Sequence, residues 1–210
     1  QNKYVGDIGD FVKYGLLRAL LPGHKLGVAW YLFPDEPDDG AGGFTGYLKE
    51  PERWRARDED LFDELRQIVE SNRNVAAIEN SNLLKGARFA SELLSSDIGS
   101  DAERGDWRGQ WFSRVLSQID GCDLIFADPD NGLYEPEIPE SLSDPIGWKR
   151  LPIEEARVLA EGRTAVFYHH NTRRKGGVEL DIDRWAELLG RRTIALRWRA
   201  ISDRSFLIVN

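Results

Sequence analysis

Apolar residues in this chain fall into two kinds of run, and the two kinds alternate. Runs at 26–33, 75–78, 123–127 and 164–168 are short, largely apolar and bounded by turn-forming residues. That is the pattern of strands buried on both faces of a parallel sheet. Between them, apolar positions recur at helical spacing. Leu61, Phe62, Leu65, Ile68 and Val69 share one helical face, and Trp107, Trp111, Phe112, Val115, Leu116 and Ile119 form an aromatic-rich stripe of the kind that packs a core. Asp10 suits the N-cap of a helix that buries Phe11, Leu17, Leu20 and Leu21 and stops at Pro22-Gly23. Further helices are expected over 83–94, 153–161 and 181–189, with a polar loop over 95–105. Near the end, Ile194, Leu196 and Trp198 alternate with Ala195, Arg197 and Arg199, which predicts a half-exposed strand. The short connection 200–204 to a last apolar run at 205–209 requires antiparallel pairing. The expected fold is α/β: a three-layer Rossmann-like sheet, mostly parallel, with an antiparallel last strand. Residues 1–210 read as one domain, and 47–74 as a small helical insertion outside the sheet.

Chemistry-bearing residues collect where the strands stop. The run 123–127 ends in Asp128-Pro129-Asp130-Asn131-Gly132, which cannot extend a central strand. Pro129 has no amide donor, and Asn-Gly favours a turn. Asp128, Asp130 and Asn131 therefore stand just past the carboxyl end of a buried strand, where open α/β sheets bind ligands. The plainer alternative is that Asp128 and Asn131 only cap the turn. The first strand likewise ends in an acidic, glycine-rich stretch holding Asp35, Glu36, Gly40 and Gly42. Glycines there let backbone approach a ligand closely, unless the stretch is only a solvated loop. Residues 164–168 lead into His169 and His170, read as a strand-end loop. Either imidazole can serve as acid, base or ligand, though neighbours in an extended segment point to opposite sides. Arg173, Arg174 and Lys175 follow and suit a phosphate or substrate backbone, the plainer alternative being a solvated basic loop. The proline-rich stretch 134–152 suits a lid or substrate loop.

The formal charge of −8 excludes a generally basic nucleic-acid coat, but it is uneven. Residues 161–210 hold ten Lys/Arg against six Asp/Glu, a net +4, which leaves −12 on residues 1–160. A locally basic surface on an acidic protein can still dock phosphates. The single cysteine, Cys122, excludes an internal disulfide and fits a reducing cytoplasm, the expected location. Its place beside a buried strand favours packing over nucleophilic work. No Cys/His spacing suggests zinc. No apolar run approaches membrane-spanning length and nothing at the start resembles a signal peptide, so no membrane partner is expected.

The order of elements is similar to that of Rossmann-like methyltransferases. In detail it resembles bacterial enzymes that methylate the exocyclic amine of an adenine in large-subunit ribosomal RNA. Gly6–Leu17, with Asp10, Lys13 and Tyr14, resembles that family's glycine-rich segment running into its first helix. Tyr31–Gly42 resembles its first strand and cofactor loop, Asp128-Pro129 the start of its Asp-Pro-Pro-Tyr motif, and Phe206–Asn210 its closing strand. The resemblance implies S-adenosylmethionine as cofactor, contacted by Tyr14, Asp35, Glu36, Gly40, Gly42 and Glu79. It implies that Asp128 orients a nucleic-acid amine with Asp130, Asn131 and Lys13 assisting. His169, His170, Arg173, Arg174 and Lys175 fall on the substrate side. The chain departs from the family at Asp130 and Asn131, which replace the second Pro and the Tyr. Tyr134 is the nearest aromatic, and Glu79 is the sole candidate for the ribose-binding acid. Two other classes suit the same residues. One is Mg²⁺-dependent phosphodiester cleavage by Asp35, Glu36, Glu79, Asp128 and Asp130, with His169 or His170 as acid or base. The other is a partner protein that keeps the scaffold without the chemistry.

Overall fold

The alternation of buried runs and amphipathic segments resolves into an α/β fold around a six-stranded, mostly parallel sheet. The structure is a computed structural model. It describes residues 1–35, 43–94, 100–130, 132–135, 148–171, 176–201 and 203–210, with 101 and 102 as backbone only. The chain divides into two compact units, Gln1–His24 with Pro34–Ala87, and Lys25–Phe33 with Arg88–Asn210.

The first unit is helical. It contains α1 (Ile8–Leu20), α2 (Pro51–Trp54), α3 (Glu59–Ser71) and α4 (Val75–Glu79). Asp10 is not the N-cap of α1. That role falls to Asp7, whose carboxylate accepts from the Asp10 amide at 3.0 Å, while Asp10 reaches back to the Gly6 amide at 2.9 Å. Two aspartates three residues apart thus satisfy one of the helix's orphan donors and the amide just ahead of the cap. Helix α3 buries Leu61, Phe62, Leu65 and Ile68, as its periodicity predicts, and Asp58 caps it through the Leu61 amide. Residues 75–78, expected as a strand, form α4 instead. Asn74 caps it by accepting from the Ala77 amide at 2.8 Å, and a run this short carries no decisive period.

The second unit holds the sheet. Its strands are β1 (Leu26–Ala29), β2 (Arg88–Ala90), β3 (Leu124–Ala127), β6 (Thr164–His170), β7 (Thr193–Trp198) and β8 (Arg204–Val209). Between β3 and β6, β4 (Leu133–Tyr134) and β5 (Leu151–Pro152) pair separately. Strand order is β2-β1-β3-β6-β8-β7. The first four strands run parallel, and the last, β8, lies antiparallel between β6 and β7. The expected fold class is the one observed. Every residue of β1 and β3 is buried. Helices α5 (Asp101–Gln118), α6 (Ile153–Leu159) and α7 (Gly177–Leu189) pack on one face, where Trp111, Val115, Leu159 and Trp185 meet Ile125, Phe167 and Leu207. Each such side chain contributes about 1.5–3 kcal/mol through burial.

Three local expectations are corrected here. The helix expected over 83–94 is broken by Gly86 at φ +84°, and β2 follows it. The polar loop expected over 95–105 ends by residue 100, because Ser100 and Glu103 form a capping box that starts α5. The two histidines lie within β6 and not in a loop beyond it.

Candidate functional site

The sheet's chain order reverses between β1 and β3: β2 lies outside β1, and β6 lies outside β3. Connections leave in opposite directions there, which opens a crevice at the carboxyl ends of the strands. Asp128 stands at that point, half-buried. Its amide donates to the Ala29 carbonyl at 3.1 Å, which pins it to the end of β1. Pro129 is buried and Asp130 half-buried beside it. Asn131 lies outside the described residues.

The loop after Asp130 is fastened by His169. Gly132 has φ +80°, and a Cβ there would lie 2.5 Å from His169 Nδ1, so only glycine fits. The Leu133 amide donates to His169 Nδ1 at 3.2 Å, and His169 Nε2 lies 3.2 Å from Asp181 Oδ2. An Nδ1 that accepts leaves the ring proton on Nε2, aimed at Asp181. His169 is fully buried with both nitrogens engaged, so it is a latch between β6, the loop and α7 and does not face a substrate. His170 faces the other way, as alternation requires, and is exposed. Its Nδ1 lies 3.5 Å from the Tyr168 hydroxyl. Although the residue is exposed, partial desolvation of its ring lowers its pKa, with repulsion from Arg204 and His169 adding to the effect and Asp130 and Asp203 opposing it.

A group that sequence reasoning missed completes this end of the sheet. Lys149 is buried, with Nζ 4.4 Å from the Phe33 ring centre and 3.9 Å from Asp130 Oδ2. Arg108 of α5 fixes the turn that carries it. One guanidinium nitrogen donates to the Trp148 carbonyl at 2.8 Å and another to the Arg150 carbonyl at 3.0 Å, so the residues on either side of Lys149 are both held. The same guanidinium forms a fork with Glu155 at 2.6 and 3.0 Å, and Tyr31 donates to Glu155 at 2.7 Å. Burial opposes the charge on Arg108, but Glu155 more than offsets it and the pKa rises. Burial, then Glu155, pushes the Tyr31 hydroxyl well up. Arg108 lies three, four and seven residues before Trp111, Phe112 and Val115, so a cation on the buried stripe was the available signal. Lys149 fell within the stretch read as a lid.

The N-terminal candidates belong to the first unit. Lys13 does not point to water: Nζ lies 3.3 Å from Asp10 Oδ1. Tyr14 is 2% exposed. Tyr47 donates to the Gly6 carbonyl at 3.2 Å, and burial, then Asp10 and Asp7, hold its hydroxyl far above the usual range. Both Asp35 oxygens accept from Asn2, the amide at 2.7 Å and Nδ2 at 2.8 Å. Asn2 Oδ1 in turn accepts from the Val75 amide that opens α4. Glu79 ends α4 and not a strand. The residue that follows β2 at a comparable place is Glu92, and its two oxygens are held by Arg114 at 2.7 and 2.8 Å. Glu36, Gly40, Gly42, Arg173, Arg174 and Lys175 lie outside the described residues.

Of the residues that the resemblance assigns to the cofactor, the described ones are Tyr14, Asp35 and Glu79. Tyr14 is buried, Asp35 and Glu92 are engaged, and Glu79 is on a helix. Among the described residues, no group of three or more His, Cys, Asp or Glu side chains gathers as a metal site. Nor is any described helix long and apolar enough to cross a membrane. No protein-family model matches this chain, and no curated protein matches it.

Proposed function

We propose that the protein is a methyltransferase-like protein that binds an amine of a nucleic-acid base at the crevice between β1 and β3. The observation that carries this reading is Asp128, half-buried at the switch point and pinned to Ala29. A carboxylate there accepts an N–H of an exocyclic amine and orients its nitrogen toward the crevice. His170, biased toward its neutral form, is suited to take up a proton. Lys149 and Asp130 set opposite charges at the rim. The reversed β8 between β6 and β7 is the strand arrangement of the methyltransferases that the sequence resembles. S-adenosylmethionine is the methyl donor this reading requires, and the reading rests on the amine side of the site.

Calorimetric titration with S-adenosylmethionine and with its demethylated product tests it. Saturable heat and a rise in melting temperature are expected. Asp128→Asn should keep that heat and lower methylation of adenine-containing RNA by at least about 100-fold. Absence of heat and of any thermal shift would leave a scaffold without methyl-transfer chemistry and overturn the proposal.

A further inference from the structure

Lys149 and Asp130 are opposite charges that the fold brings to the same strand ends without letting them close. Their heads stand 3.9 Å apart, although the lysine side chain is only 11% exposed and the aspartate 25%. A pair this covered gains by shrinking to hydrogen-bond contact, as Arg108 and Glu155 do at 2.6 Å in the brace behind it. Both ends of the wider pair are fixed by their backbones. Arg108 holds the Trp148 and Arg150 carbonyls on either side of the lysine, and Nζ lies over the Phe33 ring, 4.4 Å from its centre. The Asp128 amide is fastened to the Ala29 carbonyl, and the rigid Pro129 alone separates Asp128 from Asp130. An ammonium has three donors and a carboxylate about four acceptor positions, so each head keeps capacity beyond the contacts it already makes. The separation is therefore preorganised for a third group.

Charge selects that group. An anion drawn to Lys149 is repelled by Asp130 3.9 Å away, and a cation drawn to Asp130 is repelled by Lys149. Arg108 does not tip this balance, because its guanidinium is taken up by the fork with Glu155. A ligand gains from both heads when it carries both signs on neighbouring atoms, as an α-amino acid zwitterion does. Its carboxylate accepts from Nζ and its ammonium donates to Asp130 Oδ2. Hydrogen bonds of about 2.8 Å on each side then close a ring of four charges over the 3.9 Å base. Asp130 is at most about 7 Å of chain beyond Asp128. A zwitterion held at Lys149 thus places what its side chain carries beside the carboxylate assigned to the amine.

We infer that Lys149 and Asp130 form a clamp for an α-amino acid zwitterion, borne either by a free amino acid or by the amino acid end of S-adenosylmethionine. For the second source the inference rests on the reading proposed above and names the hold on the methyl donor that it requires. Calorimetric titration with three probes tests it. S-adenosylhomocysteine carries the zwitterion, methylthioadenosine keeps the nucleoside and thioether but lacks it, and L-methionine carries it without the nucleoside. The wild type should bind S-adenosylhomocysteine at least about tenfold more tightly than methylthioadenosine, since a hydrogen bond to a charged group contributes about that factor or more. Lys149→Met keeps an apolar stem on Phe33. That variant and Asp130→Asn should each weaken S-adenosylhomocysteine by about tenfold or more and leave methylthioadenosine unchanged. The unchanged probe shows that the crevice is intact in each variant.

The outcomes separate the clamp from the functional reading. S-adenosylhomocysteine bound equally by the wild type and both variants overturns the clamp and leaves the methyltransferase reading standing. Methylthioadenosine bound as tightly as S-adenosylhomocysteine does the same. Saturable binding of L-methionine alone, lost in Lys149→Met, upholds the clamp, assigns it to a free amino acid and overturns the methyl-donor reading. A wild type that binds none of the three probes overturns both.

Discussion

Two lysine–aspartate pairs, one in each unit, show how differently the same charges can be used. In the first unit Lys13 lies 3.3 Å from Asp10, and the Asp10 side chain is 6% exposed. Asp10 also accepts from the Gly6 amide, so the pair is part of the mechanism that starts α1. In the second unit Lys149 lies 3.9 Å from Asp130, beyond hydrogen-bond reach, and the Asp130 side chain is 25% exposed. Both lysine side chains are equally covered, at 11%. The difference is therefore in the acid and in what holds the lysine. The first pair is bound up with its own helix. The second is presented at the ends of strands by a brace of other residues. A lysine in a suggestive motif is paired within its own helix, while one in the stretch read as a lid or substrate loop stands at the candidate site.

The largest effect should come from that brace. Arg108→Met removes a buried guanidinium and leaves the Glu155 carboxylate and two carbonyls without their shared partner. Breaking a buried pair from one side costs about 3–5 kcal/mol. Urea unfolding should show that loss as a lower midpoint at constant slope. A loss below about 1 kcal/mol would mean that Arg108 does not fix the Lys149 turn.

The second prediction sets the two pairs directly against each other. Asp10→Ala strands the Gly6 amide and uncouples Lys13, and should cost about 2–3 kcal/mol. Asp130→Ala breaks a looser, more hydrated pair and should cost under about 1 kcal/mol. Matched urea melts of the two variants decide it. Equal losses would break the comparison, since Asp130 would then be as structural as Asp10.

What could be read in advance followed from periodicity. The stripe of α3, the aromatic stripe of α5, the buried run of β3 and the closing antiparallel pair each carry a pattern long enough or pure enough to fix their type. Residues 75–90 do not. Val75-Ala76-Ala77-Ile78 suits a strand or a helix, and only the Asn74 cap and the left-handed Gly86 decide it. That error displaced Glu79 from a strand end to a helix end. Asp128 was legible because a proline after a buried strand marks its end. Lys149 was not, because its position is set by Arg108, whose grip on the Trp148 carbonyl spans forty residues of sequence. No local pattern encodes a contact of that separation. The fates of His169 and His170 were half legible: alternation separated them, but only the fold supplied Asp181 and the Leu133 amide that fasten the first.

The smallest effect concerns the second histidine and sharpens the picture of the strand-end group. Partial desolvation lowers the pKa of His170, and Arg204 pushes it the same way. In the unfolded chain the ring titrates near its ordinary value of about 6.5. The folded state therefore binds this proton less readily than the unfolded state does. Stability linked to His170 is complete above that ordinary value and is lost as pH falls through it toward the lowered folded value, where both states become protonated. The residue is exposed, so the change in melting temperature should be slight, and the titration itself is the better readout. Proton NMR of the imidazole ring should give a midpoint below the unfolded value. Arg204→Gln should raise that midpoint by removing a positive neighbour, and Asp130→Asn should lower it further by removing a negative one. Opposite shifts from the two variants would place His170 electrostatically between β8 and the Asp128–Asp130 loop, as a base at the crevice must be. A midpoint at the ordinary value that neither variant moves would return His170 to the solvent and remove it from the proposed site.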